Sequence, residues 1–402
     1  MGDTLLIVGI VESRELALRT ALERGMRLVV IDFATSPLSQ LAHVRVPVAD
    51  MFDPDQLDAA MEAAVQYQPS AVVSLYDELL EPTARLAQRL GCRFLTPQAA
   101  RLAHNKVAQR AALREAGLGC PRWFDCADLD SVRQAAGQIG YPLILKVADQ
   151  AGSIGKVRVY DATGLEAAYA AIEVTRIDRS VPMLVEQLVH GQEFSVEGFV
   201  VNGTGTLICV TRKTTLNGLY PVELTHALPY AGPDADLVAD TALRAAAALG
   251  VNDAMFHTEI MVTDQGPVVI EVNARSGGDK IMDLVHQASG CNPYDVVYDL
   301  ALGLTPQWQP RWRGGAAIHY LVPDRAGVLE GFQGVADVVA DPDLFAIGFE
   351  APEGAMVPTD PTDNGGRLGW IMCTGADWQS ADQRAYGLMT RLSSTVATAA
   401  GT

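Results

Sequence analysis

Two glutamates, Glu259 and Glu271, stand twelve residues apart in a segment whose pattern predicts a β-hairpin. Alternating β-branched residues lie on either side of an Asp-Gln-Gly turn at 264–266, in which Gly can adopt a positive φ. In a hairpin centred on the middle residue of that turn, the two glutamates face each other with Cβ atoms roughly 4.5–5.5 Å apart, and Asn273 follows on the same face. Like charges at that distance repel, whereas carboxylate and amide oxygens suit Mg²⁺. The segment therefore predicts a magnesium site, and a hairpin face that is simply solvated is the alternative.

A second set of residues is suited to phosphate. Lys146 ends an apolar strand, and a buried lysine needs an anionic partner. The loop at 149–156 that follows is small enough for main-chain N–H groups near Ser153 to approach phosphate oxygens. It is not a Walker A loop, because only two residues separate its glycines and Val157 stands where Ser or Thr should follow the lysine. On its own, the loop is also explained by an ordinary hairpin turn.

Composition and charge narrow the classes of partner. The chain has 402 residues, 49 % of them hydrophobic, which is enough for two or three domains with filled cores. Lys and Arg number 30 against 48 Asp and Glu, and the net charge of −18 repels a phosphodiester backbone, so we expect no nucleic-acid partner. No apolar segment is long enough to span a bilayer, so we expect no membrane association. The six cysteines include no C-x-x-C pair, which argues against a zinc site and favours the reduced cytoplasm.

The first part of the chain predicts a small open parallel α/β domain. Apolar runs at 4–11, 28–32 and 71–75 indicate buried strands, and helical patterns lie between them. Only Gly9 lies in the first strand–helix turn, so the glycine-rich dinucleotide fingerprint is absent. A nicotinamide-binding role is therefore disfavoured.

The pattern changes after residue 120 to strands that look antiparallel. The predicted strands lie at 141–147, 156–160, 183–188, 193–201 and 205–212. This region differs from the N-terminal domain and predicts a separate lobe. A further section begins near Gly314 with another strand at 316–321.

The order of these elements resembles the ATP-grasp superfamily. The residues that carry the resemblance are Asn105-Lys106, Lys146 with its loop, Glu186-Gln187-Leu188 with Glu193, Glu259, and the block from Glu271 to Arg275. Five elements in this order across about 170 residues are more specific than any one of them. The resemblance implies a mixed α/β and α+β fold, with ATP held between two antiparallel lobes. It divides the chain into a Rossmann-like pre-grasp domain (1–105), a small lobe with the phosphate loop (106–190), a large lobe with the metal and substrate site (191–313) and a C-terminal subdomain (314–402).

The resemblance also implies roles for residues around the nucleotide. The implied contacts are phosphates for Lys106, Lys146 and the loop around Ser153, the adenine edge for the Glu186 carbonyl and Leu188 N–H, and the ribose for Glu193. Lys213 is only a candidate for a further phosphate contact. Glu259, Glu271 and Asn273 would hold two Mg²⁺ ions. ATP and Mg²⁺ are thus the expected cofactors, and Lys146 is a catalytic candidate.

Within the superfamily, three segments resemble the L-amino-acid ligases that form dipeptides. They are Lys213-Thr214-Thr215, the run from Glu223 to Pro229 and the run from Asn273 to Gly278. The resemblance implies a carboxylate–amine ligase acting on amino acids or amino-acid-like compounds. In such an enzyme a carboxylate attacks the γ-phosphorus of ATP, and an amine then displaces phosphate from the acyl phosphate.

The substrate side of this site has its own candidate residues. Arg275 is suited to clamping the carboxylate and the acyl phosphate, because its fork matches bidentate oxyanions. Gly277 and Gly278 could offer N–H groups to a substrate carboxylate. His226 or Glu223 could orient or deprotonate the amine, since an α-amino group is mostly charged at neutral pH. Arg275 and His226 are therefore the catalytic candidates on this side.

Two alternatives remain at this point. An ATP-grasp enzyme could use a different carboxylate or acceptor, such as a purine-pathway intermediate. A protein of the same fold could also bind nucleotide without turnover, although the complete metal and arginine set argues against this. The sequence is compatible with a homodimer as well as a monomer.

Overall fold

The computed structural model describes residues 2–10, 12–150, 152–176 and 178–397, without the side chain of Glu12. Within these residues the chain forms four β-sheets flanked by helices, which confirms the predicted mixed α/β and α+β fold. Val11 at the end of the predicted first strand, Ala151 in the predicted phosphate loop and residues 398–402 lie outside the described residues. None of the described helices is both long and apolar enough to cross a membrane.

An open parallel sheet forms the N-terminal domain, as predicted. Its elements are β1 (Thr4–Val8), α1 (Glu15–Glu23), β2 (Arg27–Phe33), β3 (Val44–Val48), α2 (Pro54–Val65), β4 (Ala71–Ser74), α3 (Leu80–Leu90) and α4 (Pro97–His104). The strand order is β3-β2-β1-β4, and the apolar runs of β1 and β2 are buried on both faces, as parallel strands require. Asp53 caps α2 by accepting the N–H of Gln56, and Pro54 occupies the first turn. The loop after β4 carries Asp77 from the carboxyl end of this sheet towards the rest of the chain.

A four-stranded antiparallel sheet forms the small lobe. Its elements are α5 (Lys106–Glu115), β5 (Trp123–Cys126), α6 (Leu129–Ile139), β6 (Leu143–Val147), β7 (Lys156–Val159), α7 (Leu165–Glu173) and β8 (Met183–Gln187). The strand order is β5-β8-β6-β7. In this register Lys146 of β6 pairs with Lys156 of β7, so two lysines lie side by side at the end where the phosphate loop joins the strands.

An eight-stranded sheet runs from the large lobe into the C-terminal subdomain. The large-lobe elements are β9 (Gln192–Val201), β10 (Thr204–Thr215), β11 (Glu223–Leu228), α8 (Ala235–Ala248), β12 (Ala254–Thr263), β13 (Gly266–Asn273), α9 (Ile281–Ser289) and α10 (Pro293–Ala301). The C-terminal elements are β14 (Gly315–Leu321), β15 (Gly327–Gln333), α11 (Val335–Val339), β16 (Leu344–Phe349), β17 (Met356–Val357), β18 (Gly369–Gly375), α12 (Trp378–Met389) and β19 (Ser393–Ala397). The order of the large sheet is β13-β12-β9-β10-β11-β14-β18-β16, so the sheet continues across the predicted boundary at residue 314.

The hairpin of β12 and β13 places Glu259 directly opposite Glu271, as predicted. The turn itself is tighter than predicted, because Thr263 pairs with Gly266 and the φ of Gly266 is +107°. A β-bulge between Glu259 and Ile260 shifts the register by one residue and brings the two glutamates back into opposition. The predicted pairing of the glutamates is therefore correct because of a bulge that the pattern did not indicate.

Candidate active site

The three predicted metal ligands line one small cavity. Glu259, Glu271 and Asn273 face a space of about 90 Å³ beneath the phosphate loop. His257 also lines this cavity and pairs with Asn273 across the hairpin. The predicted convergence of two carboxylates and one amide oxygen is thus present in the fold.

Three neighbouring lysines hold these carboxylates in the ionised form. Glu271 pairs with Lys106 at 2.9 Å and with Lys156 at 3.4 Å. Burial alone would raise the pKa of Glu271, but the two lysines bring it below its usual value. Glu259 pairs with Lys213 at 2.6 Å, and its pKa is likewise held well below the usual range despite burial. Two ionised carboxylates and an amide oxygen are hard donors that fit Mg²⁺, so the residues present suit the ion that the fold implies.

A larger groove of about 370 Å³ adjoins this cavity and lies between the small lobe and the large sheet. The predicted nucleotide residues among its walls are Lys146, Ser153, Glu186, Leu188, Glu193 and Lys213. Ile144, Met261 and Ile270 supply apolar surface beside them. A groove with apolar walls and cations at one end suits a base and a phosphate chain.

Not every predicted adenine contact is free in this structure. The Leu188 N–H donates to the Pro142 carbonyl at 3.4 Å, a long hydrogen bond. The Glu186 backbone takes part in the small-lobe sheet, where it pairs with Trp123 and Ile144. An adenine edge would therefore have to compete with a weak backbone bond at Leu188.

Lys146 lies in a buried chain of charges that the sequence did not reveal in full. Its ammonium is 2.5 Å from Glu186, and Arg110 donates to the same carboxylate at 2.8 Å. Burial lowers the pKa of Lys146 to about 8, although Glu186 opposes the shift. The sequence did not indicate this role of Arg110 as a partner of Glu186, since Arg110 lies inside a helix with no motif of its own.

The phosphate loop is folded down onto the large lobe. Ser153 has a positive φ of 65°, and its hydroxyl donates to the Pro221 carbonyl at 3.1 Å. Lys106 donates to the Gln150 carbonyl at 2.7 Å and so anchors the start of the loop. Gly152 and Ser153 of this loop therefore line the small cavity.

Lys213 lies among three glutamates. Its ammonium is 2.8 Å from Glu223 and 3.4 Å from Glu193, in addition to its contact with Glu259. These carboxylates raise the pKa of Lys213 well above its usual value, although burial opposes them. The charge of Lys213 is compensated by these neighbours, and the lysine links the predicted ribose residue Glu193 to the predicted metal ligand Glu259.

His226 is set back from both cavities. It is fully buried on β11 and contacts Glu223 at 3.0 Å and Asp279 at 3.5 Å. Burial alone would lower the pKa of His226, but Asp279 and Glu223 raise it, so the imidazole holds its proton more firmly than usual. Glu223 lines both cavities and His226 lies behind it. We refer to Glu223, His226 and Asp279 as the Glu223 cluster.

Arg275 lines the same small cavity as the predicted metal ligands and is oriented by the N-terminal domain. Its Nε donates to Asp77 at 2.7 Å, and this carboxylate lies on the loop after β4. Gly277 does not fulfil its predicted role, because its N–H donates to Glu197 at 3.0 Å and is not open to a substrate. Gly278 lines the cavity.

Several further side chains complete the site without having been predicted. They are Lys156 and His257 beside the metal ligands, Asp279 after the glycine pair, and Asn364 and Arg367 from the C-terminal subdomain. Lys156 had a usable signal, since it ends the phosphate loop. Asn364 and Arg367 had no such signal, because nothing in the local sequence shows that they contact Asp279, which lies 85 and 88 residues earlier.

Comparison with known proteins agrees with this geometry. Residues 139–283 match the ATP-grasp domain family, and residues 319–397 match L-amino acid ligase C-terminal domain 2. Together these matches span more than half of the chain. The chain therefore contains an ATP-grasp domain, followed by a domain of the kind found in L-amino acid ligases. It is an ATP-dependent ligase of this type, and its relatives include L-amino acid ligases and other ligases of the superfamily.

Individual relatives fall in two groups. The chain is similar to alanine–anticapsin ligase of Bacillus subtilis (strain 168), at 24 % identity over 61 % of this chain and 56 % of that protein. It is also similar to formate-dependent phosphoribosylglycinamide formyltransferase of Rhodococcus jostii (strain RHA1), at 26 % identity over 92 % of this chain and 91 % of that protein. Among solved structures, an L-amino acid ligase from Bacillus licheniformis superimposes with a TM-score of 0.84 over 99 % of both chains, at 21 % identity. This last likeness establishes the fold.

Proposed function

We propose that this ligase joins the carboxylate of one amino acid or amino-acid-like compound to the amine of another, through an acyl phosphate. One observation carries the proposal. Arg275, a clamp for oxyanions, and Glu223, an acceptor for an amine, line the same cavity as the metal ligands. The cavity thus combines what phosphoryl transfer and amide formation each need.

The first step forms the acyl phosphate. A carboxylate oxygen attacks the γ-phosphorus of ATP, a new O–P bond forms, and the bond to the ADP oxygen breaks. Arg275 holds the carboxylate, while Lys106 and Lys146 neutralise the phosphates. Magnesium held by Glu259, Glu271 and Asn273 would screen the charge on the transferring phosphoryl group, and we propose two such ions.

The second step forms the amide. The amine nitrogen attacks the acyl carbon, the C–O bond to phosphate breaks, and phosphate leaves. The amine must first lose a proton, because an α-amino group has a pKa of roughly 7.7–8.0 and is mostly charged at neutral pH. We assign this proton to Glu223, which faces the cavity, and a positioning role to His226 behind it.

A second candidate function follows from the likeness to the phosphoribosylglycinamide formyltransferase, which extends over 92 % of the chain. An acceptor from the purine pathway would use the same acyl-phosphate chemistry and a different pocket for the amine. The segments around Lys213, Glu223 and Arg275 that resemble amino-acid ligases favour the first candidate.

We further propose that the enzyme works in the cytoplasm on small-molecule substrates, with no nucleic-acid or membrane partner. The six cysteines are free, which fits a reducing compartment. The chain could act as a monomer or as a homodimer.

A substrate screen tests the proposal. ADP release is measured with ATP, Mg²⁺ and a matrix of paired amino acids, and the products are identified by mass spectrometry. We expect ADP release that depends on a particular pair, with a product of the mass of the two acids minus water. ADP release that requires a purine-pathway intermediate and ignores amino acids would support the second candidate instead.

A further inference from the structure

We infer that the C-terminal subdomain completes the amine side of the site: Asn364 and Arg367, on the loop before β18, are positioning residues that hold Asp279 and Glu223 in place. The inference rests on the proposed function, because it assigns a task to residues around the proposed amine acceptor. Neither side chain belongs to the nucleotide groove described above.

Arg367 binds the Asp279 carboxylate through both terminal nitrogens of its guanidinium. The two nitrogens are 3.0 and 2.9 Å from the two carboxylate oxygens, and the side chain is only 6 % exposed. The guanidinium also lies 3.7 Å from the centre of the Tyr320 ring. A bidentate pair backed by a cation–π contact fixes both position and orientation, because neither group can rotate without losing a bond.

The segment held in this way has a strained backbone. Asp279 and Lys280 follow one another with φ of 48° and 59°, a region that residues with a side chain rarely adopt. The Tyr320 hydroxyl donates to the Asp279 carbonyl at 2.8 Å, and the Lys280 ammonium lies 4.7 Å from the centre of the Trp370 ring. Tyr320 and Trp370 belong to β14 and β18, so the C-terminal subdomain supplies the contacts that oppose this strain.

Asn364 connects the same segment to two others. Its side-chain amide donates to Asp279 at 3.2 Å, and its side-chain oxygen accepts the Glu223 N–H at 3.1 Å. Its own backbone N–H donates to the Gly152 carbonyl in the phosphate loop, over 3.5 Å. Asn364 lines the metal cavity, so one side chain touches the amine side of the site while its backbone touches the phosphate side.

The charges explain why the amine step depends on this contact. Asp279 lies beside His226 and close to Glu223, and Lys213 faces Glu223 from β10. Without Arg367, Asp279 would lose its closest cation next to a second carboxylate, and the Glu223 cluster would rearrange. Lys106 and Lys146, the proposed phosphate contacts outside this cluster, pair with Glu271 and Glu186 and keep those partners. Loss of Arg367 should therefore impair amine capture and leave carboxylate activation intact.

Hydroxylamine separates these two steps. It attacks an acyl phosphate directly in solution and reports activation as a hydroxamate, whereas amide formation from an amino acid needs the amine site. The probes are a mixture of the standard L-amino acids with ATP and Mg²⁺, with and without hydroxylamine. For Arg367→Met we expect amide formation to fall by at least about tenfold, the loss of one charge-assisted pair, while hydroxamate formation stays within about twofold. Arg367→Lys keeps the charge and should recover part of the loss.

A double variant tests whether Arg367 acts through Asp279. In an Asp279→Asn background, Arg367→Met should have little further effect on amide formation, because the charge that it compensates is gone. Arg391→Met is the matched control, since it removes an exposed arginine–aspartate pair with Asp341 in the same subdomain. We expect this control to behave like the wild type.

Equal losses of hydroxamate and amide, or no loss of either, in folded Arg367→Met would overturn the inference. If Arg367→Met does not fold, Asn364→Ala carries the same test, with the same selective loss expected and the same results against it. A wild-type enzyme that makes neither hydroxamate nor ADP from amino acids would instead refute the proposed function.

Discussion

Replacing Glu271 with glutamine removes a negative charge and a proposed metal ligand while keeping the size of the side chain. The carboxylate is buried, and it pairs with Lys106 at 2.9 Å and Lys156 at 3.4 Å. Breaking a buried ion pair costs about 3–5 kcal/mol in folding free energy, because the partner charge is left uncompensated. The amide oxygen of the substituted side chain can still accept a hydrogen bond from one lysine, so we expect the lower end of that range.

Catalysis should suffer more than stability. Removing one preorganised group that stabilises transition-state charge slows turnover by about 10²–10³. We expect Mg²⁺-dependent ADP release by Glu271→Gln to fall at least that far, and higher Mg²⁺ concentrations to restore only part of it. Glu271→Asp keeps the charge and should lie between the wild type and the glutamine variant. Glu330→Gln removes an exposed carboxylate from β15 and serves as the control.

The measurement is initial-rate ADP release over a Mg²⁺ titration, with thermal unfolding followed by circular dichroism for each variant. A folded Glu271→Gln enzyme that turns over at nearly the wild-type rate would refute the metal assignment. If Glu271→Gln unfolds at the assay temperature, the same measurement is made on Asn273→Ala. That variant removes the neutral proposed ligand and leaves both ion pairs of Glu271 in place.

Three further predictions follow from the site. His226→Ala should raise the amino-acid concentration required for half-maximal rate more than the ATP concentration, and an unchanged amino-acid requirement in steady-state kinetics would count against its role. Lys146 has a pKa of about 8, so it loses its proton as the pH rises through that value, and nucleotide affinity measured by calorimetry should fall there. The Lys146→Arg variant should keep its nucleotide affinity at high pH. The same fall in the wild type and in this variant would exclude Lys146 as the titrating group. Gly277→Ala should lower the free energy of unfolding by about 1–3 kcal/mol in denaturant titration, because a Cβ there would meet the Glu197 carboxylate at 2.8 Å. Gly278→Ala, whose Cβ has open space, is its control, and equal stability of the two variants would show that Glu197 moves aside.

Residues close together in sequence were the ones whose arrangement could be predicted. The β12–β13 hairpin is a local structure, so alternation and one turn predicted that Glu259, Glu271 and Asn273 come together, although a bulge sets the final pairing of the two glutamates. Lys146 could be placed for a similar reason, since it ends a strand next to the loop that it serves. The bulge could not be predicted, because nothing in the sequence of β13 marks Ile270 as the residue that is left without a partner on β12.

Contacts between segments that lie far apart in the sequence could not be predicted. Asp77 orients Arg275 from almost 200 residues away, and Arg367 holds Asp279 across 88 residues. These pairs are set by how the N-terminal domain and the C-terminal subdomain pack on the large lobe. The predicted role of Gly277 failed for the same reason, because its N–H is taken by Glu197 on β9, a strand that lies beside it only in the folded chain.

Oxygen transfer tests the central proposal most directly. An amino-acid substrate labelled with ¹⁸O in its carboxylate is incubated with the enzyme, ATP, Mg²⁺ and a second amino acid, and the phosphate released is analysed by mass spectrometry. An acyl phosphate intermediate requires one labelled oxygen to appear in the phosphate for each amide formed, because the carboxylate oxygen stays on phosphorus when the amine displaces it. Unlabelled phosphate alongside amide product would contradict the account.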